Sequence, residues 1–330
     1  MTPDLDLVIV GAGPSGLAVA IAAHQARLRY EVVEKGVLVN SIFNFPRHMV
    51  FFTTSDLLEI GGLPFVTPYE KPTQAEGLKY YRRVSEAYGL RLCLGEAVTA
   101  LRREDGGGFV IESARSGETV RRHARNVALA TGYYDQPNLL GIPGEDLPHV
   151  FHYYTEAHAF WRQDVVVVGG KNSAAIAALE LHRAGARVRL VHRGAALSES
   201  IKYWIRPDIE NRIKEGSVIA HFDTTVRAIR PGSATLEGPH GPFDLPAQAV
   251  FLLTGYHPDT ALLEMAGVPV DRVSLIPEHK PDTLETSVPG LYLAGALAAG
   301  RRTSQIFIEN GRFHGETIVR SILHALRPGT

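Results

Sequence analysis

Cysteine is almost absent from this chain of 330 residues, and the one copy, Cys93, limits the redox chemistry that the protein can perform. A single thiol cannot form a disulfide within the chain, which excludes a redox-active CxxC pair and fits a reducing cytoplasm. Cys93 lies in the alternating segment Leu90–Leu94, where we expect it to pack as part of a strand. The chain therefore cannot relay electrons through a dithiol of its own.

An excess of one charge, metal-ligand spacings and long apolar runs are also missing. The 34 basic and 35 acidic residues give a net charge of −1, which argues against nucleic acid as the main partner. The 14 histidines show no HExxH or other ligand spacing, so we predict no metal. No apolar run approaches the roughly 20 residues of a membrane span, and the N-terminus does not resemble a signal peptide. We therefore expect a cytoplasmic protein that acts away from membranes and nucleic acids.

A glycine-rich motif near the N-terminus predicts a dinucleotide site. Leu7–Val10 is a continuous apolar run typical of a strand buried on both faces, and the motif Gly11-Ala12-Gly13-Pro14-Ser15-Gly16 follows it. Gly11 makes the tight turn, Gly13 lets the backbone approach a pyrophosphate, and Gly16 lets the next helix pack closely. The N-terminus of that helix would then present its N–H groups to the phosphates.

Several further segments favour FAD for this site. The next strand ends on Glu34, about 20 residues beyond the glycines, where an acid accepts ribose hydroxyls and would repel a 2′-phosphate. The strands Val127–Gly132, which ends in Ala-Thr-Gly, and Gly290–Gly295 resemble those that hold FAD in two-dinucleotide flavoproteins. Ala296 replaces the Asp usual in those proteins. We expect a helix to begin at Thr303–Ile306, with its N–H groups aimed at the flavin.

A second, weaker glycine motif predicts the site of the nicotinamide nucleotide. Asp164–Val168 is again typical of a buried strand, and Gly169-Gly170-Lys171-Asn172-Ser173-Ala174 follows it, with a helix expected from Ser173 to about Ala184. Lys171 stands where the middle glycine is expected, so it holds the phosphate further off or places an ammonium beside it. The next strand ends in His192-Arg193, which suits a 2′-phosphate and favours NADPH. The alternative is an exposed arginine that merely ends a strand.

The order of these motifs predicts an α/β fold with two Rossmann-like domains, one inserted into the other. Residues 1–148 and 262–330 would form a discontinuous FAD-binding domain, and residues 149–261 would form the NADPH-binding domain. The segments 141–144 and 256–259 carry the turn residues expected of the two linkers.

These motifs, in this order, resemble the thioredoxin-reductase-like flavoproteins, and most closely the bacillithiol disulfide reductase (YpdA-type) family. Where thioredoxin reductases have CxxC, this chain has His152-Tyr153-Tyr154-Thr155, which excludes thioredoxin reductase chemistry. Many members of the family have Cys at the position of Ser15, which cannot form a mixed disulfide. The resemblance covers the chain end to end and rests on Asn40–Pro46, Phe51–Asp56, Ala130–Tyr134, Val150–Tyr153, Gly169–Ala174, Gly255–Asp259 and Ile306–Gly315.

The resemblance implies an NADPH-dependent, FAD-containing homodimer that reduces a small-molecule disulfide, bacillithiol disulfide. His152 is the candidate acid that protonates the leaving thiolate, and Arg47, Arg301 and Arg302 are candidate anchors for the carboxylates of the substrate. Three alternatives stay open: a ferredoxin or flavodoxin–NADP reductase, a flavin monooxygenase and a flavin-based redox sensor. The balanced composition offers no evident basic face for docking ferredoxin.

The predicted site residues are grouped by the molecule they would contact. His152 is the candidate catalytic residue. The NADPH contacts are Gly169, Gly170, Lys171, Asn172, Ser173, Ala174, His192 and Arg193. The FAD contacts are Gly11, Gly13, Pro14, Ser15, Gly16, Glu34, Lys35, Ser41, Asn44, Phe45, Ala97, Val98, Ala130, Thr131, Gly132, Tyr133, Gly295, Ala296, Gln305 and Ile306.

Overall fold

A computed structural model of the chain describes residues 4–326. The first part of the chain forms β1 (Leu5–Val10), α1 (Pro14–Gln25), β2 (Tyr30–Glu34), α2 (Asn40–Phe43), α3 (Gln74–Tyr88), β3 (Leu92–Leu94), β4 (Glu96–Arg103), β5 (Phe109–Arg115) and β6 (Glu118–Leu129). The middle part forms β7 (Val150–Phe151), β8 (Asp164–Val168), α4 (Asn172–Arg183), β9 (Arg187–Val191), α5 (Arg206–Lys214), β10 (Ile219–His221), β11 (Thr225–Arg230), β12 (Gly232–Gly238), β13 (Gly241–Ala247) and β14 (Ala249–Leu252). The last part forms α6 (Ala261–Met265), β15 (Leu291–Leu293), α7 (Ile308–Gly311) and α8 (His314–Leu326).

The chain folds into two compact units, and the first of them is discontinuous. Unit 1 runs up to Gln136 and resumes at Tyr256, whereas unit 2 is Pro137–Gly255. Both boundaries therefore lie earlier in the chain than residues 148 and 261, the ends predicted from the turn motifs.

Contacts of the segment before β7 explain the earlier boundary. The N–H of Asn138 donates to the carbonyl of Gly255 at 2.9 Å, and the N–H of Ile229 donates to the carbonyl of Pro143 at 2.8 Å. Ile142 packs against the apolar core of unit 2. The turn residues of this segment therefore belong to unit 2 and do not form a free linker.

Unit 1 is built on a mixed sheet with the strand order β3-β2-β1-β6-β5-β4, and β15 pairs with β6. The strands β1, β2, β3, β6 and β15 are parallel neighbours, while β4, β5 and β6 are antiparallel. Leu7–Val10 is buried throughout because helices or loops cover both faces of the sheet. The carboxyl ends of the parallel strands meet at one edge, which is where open α/β sheets bind ligands.

Unit 2 contains a parallel sheet with the order β10-β9-β8-β14-β7 and a separate antiparallel sheet of β11, β12 and β13. The second sheet packs on the apolar side chains of β8 and β14. Both units thus have the Rossmann-like α/β architecture predicted from the sequence, and that prediction of fold class is confirmed. None of the helices formed by residues 4–326 has the length and apolar character needed to cross a bilayer.

Candidate dinucleotide-binding sites

The turn between β1 and α1 is closed by glycines that have no room for a side chain. Gly11 has a φ of +109°, and a Cβ on it would lie 2.5 Å from the carbonyl oxygen of Ala130. A Cβ on Gly16 would lie 2.0 Å from the carbonyl oxygen of Gly11. Gly13 differs, because no heavy atom of the described residues lies within 4 Å of a Cβ built there. The turn is therefore tight beneath α1 and open above Gly13.

The N-terminus of α1 is free to bind an anion. Gly13 is its N-cap residue and Pro14 follows, and within Pro14–Gln25 no acid lies in the first turn and no side chain caps the helix. The first N–H groups of such a helix have no partner inside the helix, and its dipole favours negative charge. This arrangement fits a pyrophosphate above Gly13.

Glu34 at the end of β2 holds the same turn. Its side chain is 7% exposed, and its two oxygens accept N–H donors from Ala12 and Gly36, each at 2.8 Å. Because each carboxylate oxygen can accept a second hydrogen bond, Glu34 keeps acceptor capacity for ribose hydroxyls. The neighbouring Lys35 pairs with Asp135 at 3.0 Å, so its charge is already partly engaged.

The segment that contains α2 lies beside this turn. The N–H of Val39 donates to the carbonyl of Ala12 at 3.0 Å, which places α2 and the segment after it next to the glycines. Val39 has a φ of +48°, an uncommon conformation for a β-branched residue. The predicted contacts Ser41, Asn44 and Phe45 are half-buried in this segment.

The residue that precedes β4 contacts the loop that follows β2. The N–H of Gly95 donates to the carbonyl of Gly36 at 3.0 Å. This bond brings Ala97 and Val98, both half-buried, close to the loop that follows Glu34. Their predicted contact with FAD stays a prediction.

The end of β6 carries a buried hydroxyl that the described residues leave without a partner. The N–H of Ala130 donates to the carbonyl of Val10 at 2.8 Å, which fixes this strand end beside the glycine turn. The Oγ1 of Thr131 is buried and has no hydrogen-bond partner among residues 4–326. Gly132 has a φ of +66°, and burial raises the pKa of Tyr133, which follows it. A buried polar group without a partner costs about 1–3 kcal/mol, so Thr131 fits a site completed by a bound ligand.

Gly295, which follows the last strand of unit 1, touches the first turn of α1. It has a φ of +68°, and a Cβ on it would lie 2.5 Å from the Oγ of Ser15. Its N–H donates to the Nδ1 of His314 at 3.0 Å. Ala296 follows within the 3₁₀ turn Gly295–Ala299. Sequence analysis missed His314, because no periodicity or motif indicates its bond to Gly295.

The helix expected at Thr303–Ile306 does not begin there, and that prediction is wrong. Gln305 lies in a turn, Ile306 has no regular secondary structure, and α7 begins only at Ile308. Asn310 is the reason: its Oδ1 accepts the N–H of Phe307 at 2.8 Å, and its Nδ2 donates to the carbonyl of Gln305 at 2.8 Å. These bonds cap the helix at Phe307.

The glycine turn between β8 and α4 in unit 2 resembles the turn between β1 and α1 in unit 1. Gly169 has a φ of +150°, and a Cβ on it would lie 2.6 Å from the carbonyl oxygen of Leu253. Lys171 is the N-cap residue of α4, is exposed, and adopts an extended conformation. Within Asn172–Arg183 no acid lies in the first turn and no side chain caps the helix. This helix N-terminus therefore has free N–H donors that fit a second anion.

Asn172 and Ser173 differ in what they offer to a ligand. The Oδ1 of Asn172 accepts the N–H of Lys202 at 2.9 Å, and its Nδ2 donates to the carbonyl of Ser200 at 3.3 Å. Asn172 thus holds the loop that follows β9 against the start of α4. Ser173 is exposed and Ala174 is buried, which leaves the Ser173 hydroxyl facing outward.

His192 and Arg193 have different environments although they are adjacent. A Cβ on Gly170 would lie 2.3 Å from the ring of His192, so the imidazole covers that glycine. Burial, and then the charge of Arg193, lowers the pKa of His192, which is therefore neutral at pH 7. Arg193 is exposed and makes no hydrogen bond or ion pair with any residue in the described range 4–326. Of the two, Arg193 alone offers a full positive charge to a 2′-phosphate.

The remaining candidates lie outside these two turns. His152 follows β7 in unit 2, is half-buried, and has its Nε2 3.9 Å from the Oε1 of Glu145. The candidate anchors Arg47, Arg301 and Arg302 are exposed in unit 1. Among the residues that the structure describes, no group of His, Cys, Asp and Glu is arranged to hold a metal ion.

Comparison with known proteins identifies the family. The pyridine nucleotide-disulphide oxidoreductase family matches residues 8–295. Bacilliredoxin reductase Bdr of Bacillus subtilis (strain 168) is 42% identical over 316 residues, which are 96% of this chain and 96% of the relative. The solved structure of bacillithiol disulfide reductase Bdr (YpdA) from Bacillus cereus has a TM-score of 0.95 at 40% identity, covering 97% of this chain and 99% of that one.

The corresponding structure from Staphylococcus aureus has a TM-score of 0.92 at 38% identity, covering 98% of this chain and 99% of that one. These similarities extend over both units and include the two glycine turns. The chain therefore belongs to the pyridine nucleotide-disulphide oxidoreductase family and, within it, to the Bdr (YpdA) group of flavin- and nicotinamide-nucleotide-dependent oxidoreductases.

Proposed function

We propose that this protein is an NADPH-dependent, FAD-containing reductase of bacillithiol disulfide. The observation that carries the proposal is the end-to-end similarity to two structures of bacillithiol disulfide reductase, at 40% and 38% identity. The single cysteine supports it further, because a chain without an internal dithiol must act on a disulfide brought from outside. A small molecule meets that requirement more easily than a folded protein. We also propose, on the same similarity, a cytoplasmic homodimer.

In this proposal FAD occupies the turn of unit 1. The open space above Gly13 would take the pyrophosphate, Glu34 would accept the ribose hydroxyls, and the buried hydroxyl of Thr131 would gain its missing partner. FAD supplies the capacity to take up an electron pair from a nicotinamide and pass it to a disulfide. The chain's own part is to bind and orient both molecules.

Proton delivery to the leaving thiolate is assigned to His152. Its Nε2 faces the Glu145 carboxylate at 3.9 Å, and that carboxylate also accepts N–H donors from Leu140 and Gly141. A carboxylate fixed in this way would orient the imidazole, as in other acid–base pairs. His152 thus occupies the sequence position of the missing CxxC. In this proposal it acts as a proton donor, whereas a cysteine would act as a nucleophile.

Preference for NADPH would depend on Arg193. We expect Arg193→Ala to raise the KM for NADPH by about tenfold or more, because a hydrogen bond to a charged group contributes roughly 1.5–3 kcal/mol. Steady-state kinetics with NADH should change little, since NADH has no 2′-phosphate.

The matched control is Arg227→Ala, which removes an exposed arginine that pairs with Glu237 in the same unit. This variant should leave both nucleotides unaffected. An equal loss with NADPH and NADH in Arg193→Ala would show that the residue is structural.

The substrate is tested by reoxidation of the reduced enzyme. Enzyme reduced anaerobically with NADPH is mixed with bacillithiol disulfide, an oxidised bacilliredoxin, oxidised ferredoxin or oxygen, and the return of flavin absorbance is followed. We expect the disulfide to act fastest, and Cys93→Ser to behave like the wild type because Cys93 lies in β3 and pairs with Val33. Fast reoxidation by ferredoxin alone would identify a ferredoxin reductase. A large preference for an oxidised bacilliredoxin would replace the small molecule by a protein substrate.

A further inference from the structure

The C-terminal segments of unit 1 meet α1 through glycines that allow unusually close contact. A Cβ on Gly311 would lie 2.9 Å from the Oγ of Ser15, and a Cβ on Gly315 would lie 2.3 Å from the carbonyl oxygen of Ala18. Gly295 approaches the same Ser15 from the end of β15. Three separate parts of the chain are thus held against the first two turns of α1.

His314 links two of these parts. It is the first residue of α8 and is half-buried, and it lies in the sequence between Gly311 and Gly315. Its Nδ1 accepts the N–H of Gly295 at 3.0 Å. An imidazole nitrogen accepts a hydrogen bond only when it carries no proton, so this bond requires the tautomer with its proton on Nε2. The turn after β15 is therefore fixed by a neutral histidine.

The turn that His314 fixes lies at the ligand edge of the sheet. The N–H of Ala294 donates to the carbonyl of Leu129 at 2.8 Å, so Gly295 follows a strand end aligned with the end of β6. Thr131, with its buried hydroxyl, lies two residues beyond that end. A change in the position of Gly295 would therefore alter the wall of the dinucleotide site itself.

We propose that His314 is a positioning residue for the flavin nucleotide: its neutral imidazole holds the turn at Gly295 against α1, and protonation of the ring releases the turn and weakens cofactor binding. This inference rests on the proposed binding of FAD to unit 1. A protonated ring would point an N–H donor at the N–H of Gly295, which replaces a hydrogen bond by a repulsive contact.

The charges around His314 support a neutral ring. Burial, and then the charge of His279, lowers the pKa of His314 below its usual value. The turn after β15 and the first turn of α1 contain no charged residue. On α7 and just after it, Glu309 is half-buried and Arg312 donates to two backbone carbonyls, while Glu316 of α8 is exposed. The ring is therefore neutral at pH 7 and gains its proton only as the pH falls below about 6.5.

The test compares FAD affinity across pH 5–8 in the wild type, His314→Asn and His314→Leu. FAD is removed, and its rebinding is titrated by flavin fluorescence. Asn places an oxygen acceptor close to the position of Nδ1 and does not titrate, whereas Leu fills the space and cannot accept. We expect the wild type to lose about tenfold in affinity as the pH falls, the Asn variant to stay level, and the Leu variant to be about tenfold weaker at every pH.

The matched control is His324→Asn, which changes an exposed histidine on the same helix and should keep the pH profile of the wild type. Equal pH profiles in the wild type and His314→Asn would overturn the inference, and so would equal losses in the Asn and Leu variants. If the Leu variant does not fold, the pH dependence of FAD affinity in the wild type and the Asn variant still tests the inference. A wild type that binds no FAD at pH 8 would instead overturn the proposed function.

Discussion

Gly13→Ala is expected to leave the fold of unit 1 intact and to weaken FAD binding by about 10- to 100-fold. Gly13 has a φ of −72° and a ψ of 174°, which alanine adopts readily, and no described atom lies within 4 Å of the new methyl group. The methyl group would instead fill the space that a pyrophosphate needs. Loss of one hydrogen bond to a charged group weakens binding by roughly 1.5–3 kcal/mol, which gives this range.

Cofactor-free protein separates this effect from misfolding. Loss of the glycine N-cap costs at most about 1 kcal/mol, so the melting temperature should change little. Gly106→Ala is the matched control, because it also adds a methyl group in open space but lies at the tip of the hairpin between β4 and β5. Unchanged FAD affinity in Gly13→Ala would mean that the phosphates lie elsewhere.

The parts of the fold that could be predicted are those that local sequence determines. The runs at Leu7–Val10 and Asp164–Val168 form buried strands because a strand covered on both faces must be apolar throughout. Gly11 and Gly169 follow them because the turn into the helix needs a positive φ. Strand, turn and helix therefore come from neighbouring residues, and the sequence analysis located them within one or two positions.

Features that depend on the contacts of individual side chains could not be predicted. The helix expected at Thr303 begins later because Asn310 caps it at Phe307. The sequence does not reveal that the ring of His192 lies on Gly170. The bond between His314 and Gly295 joins elements that neither a motif nor a hydrophobic period connects. In each case a side chain meets a partner that the local pattern does not reveal.

Arg122 on β6 also contacts residues distant in the sequence, and these contacts link several strands of the unit 1 sheet. It donates to the carboxylate of Glu96 on β4 and to that of Glu31 on β2, the latter at 2.7 Å. It also donates to the Oγ of Ser113 at 2.9 Å and contacts the Sγ of Cys93 at 3.5 Å. The strand that ends on Glu34 and the strand that carries Ala97 and Val98 are thereby joined through one guanidinium.

Arg122→Met should strongly destabilise unit 1. Glu96 is 1% exposed, and loss of its cation would leave a buried charge without compensation, which costs about 3–5 kcal/mol. Addition of Glu96→Gln should restore much of that loss, because the amide keeps the bond to Ser113 and carries no charge. Urea denaturation of the single and double variants at pH 7 measures both effects.

The pH dependence of these variants separates charge from packing. In the wild type, although burial raises the pKa of Glu96, the hydrogen bonds from Arg122 and Ser113 outweigh it and lower that pKa below its usual value. The stability that this carboxylate contributes is therefore complete above about pH 4.5 and is lost as the pH falls through the lowered pKa. Without Arg122, only the hydrogen bond from Ser113 and the charge of Arg115 still oppose burial, so the pKa of Glu96 rises and the Arg122→Met variant should come closer in stability to the wild type as the pH falls. A stability difference that stays constant from pH 7 to pH 4 would show that Arg122 contributes through packing and not through its charge.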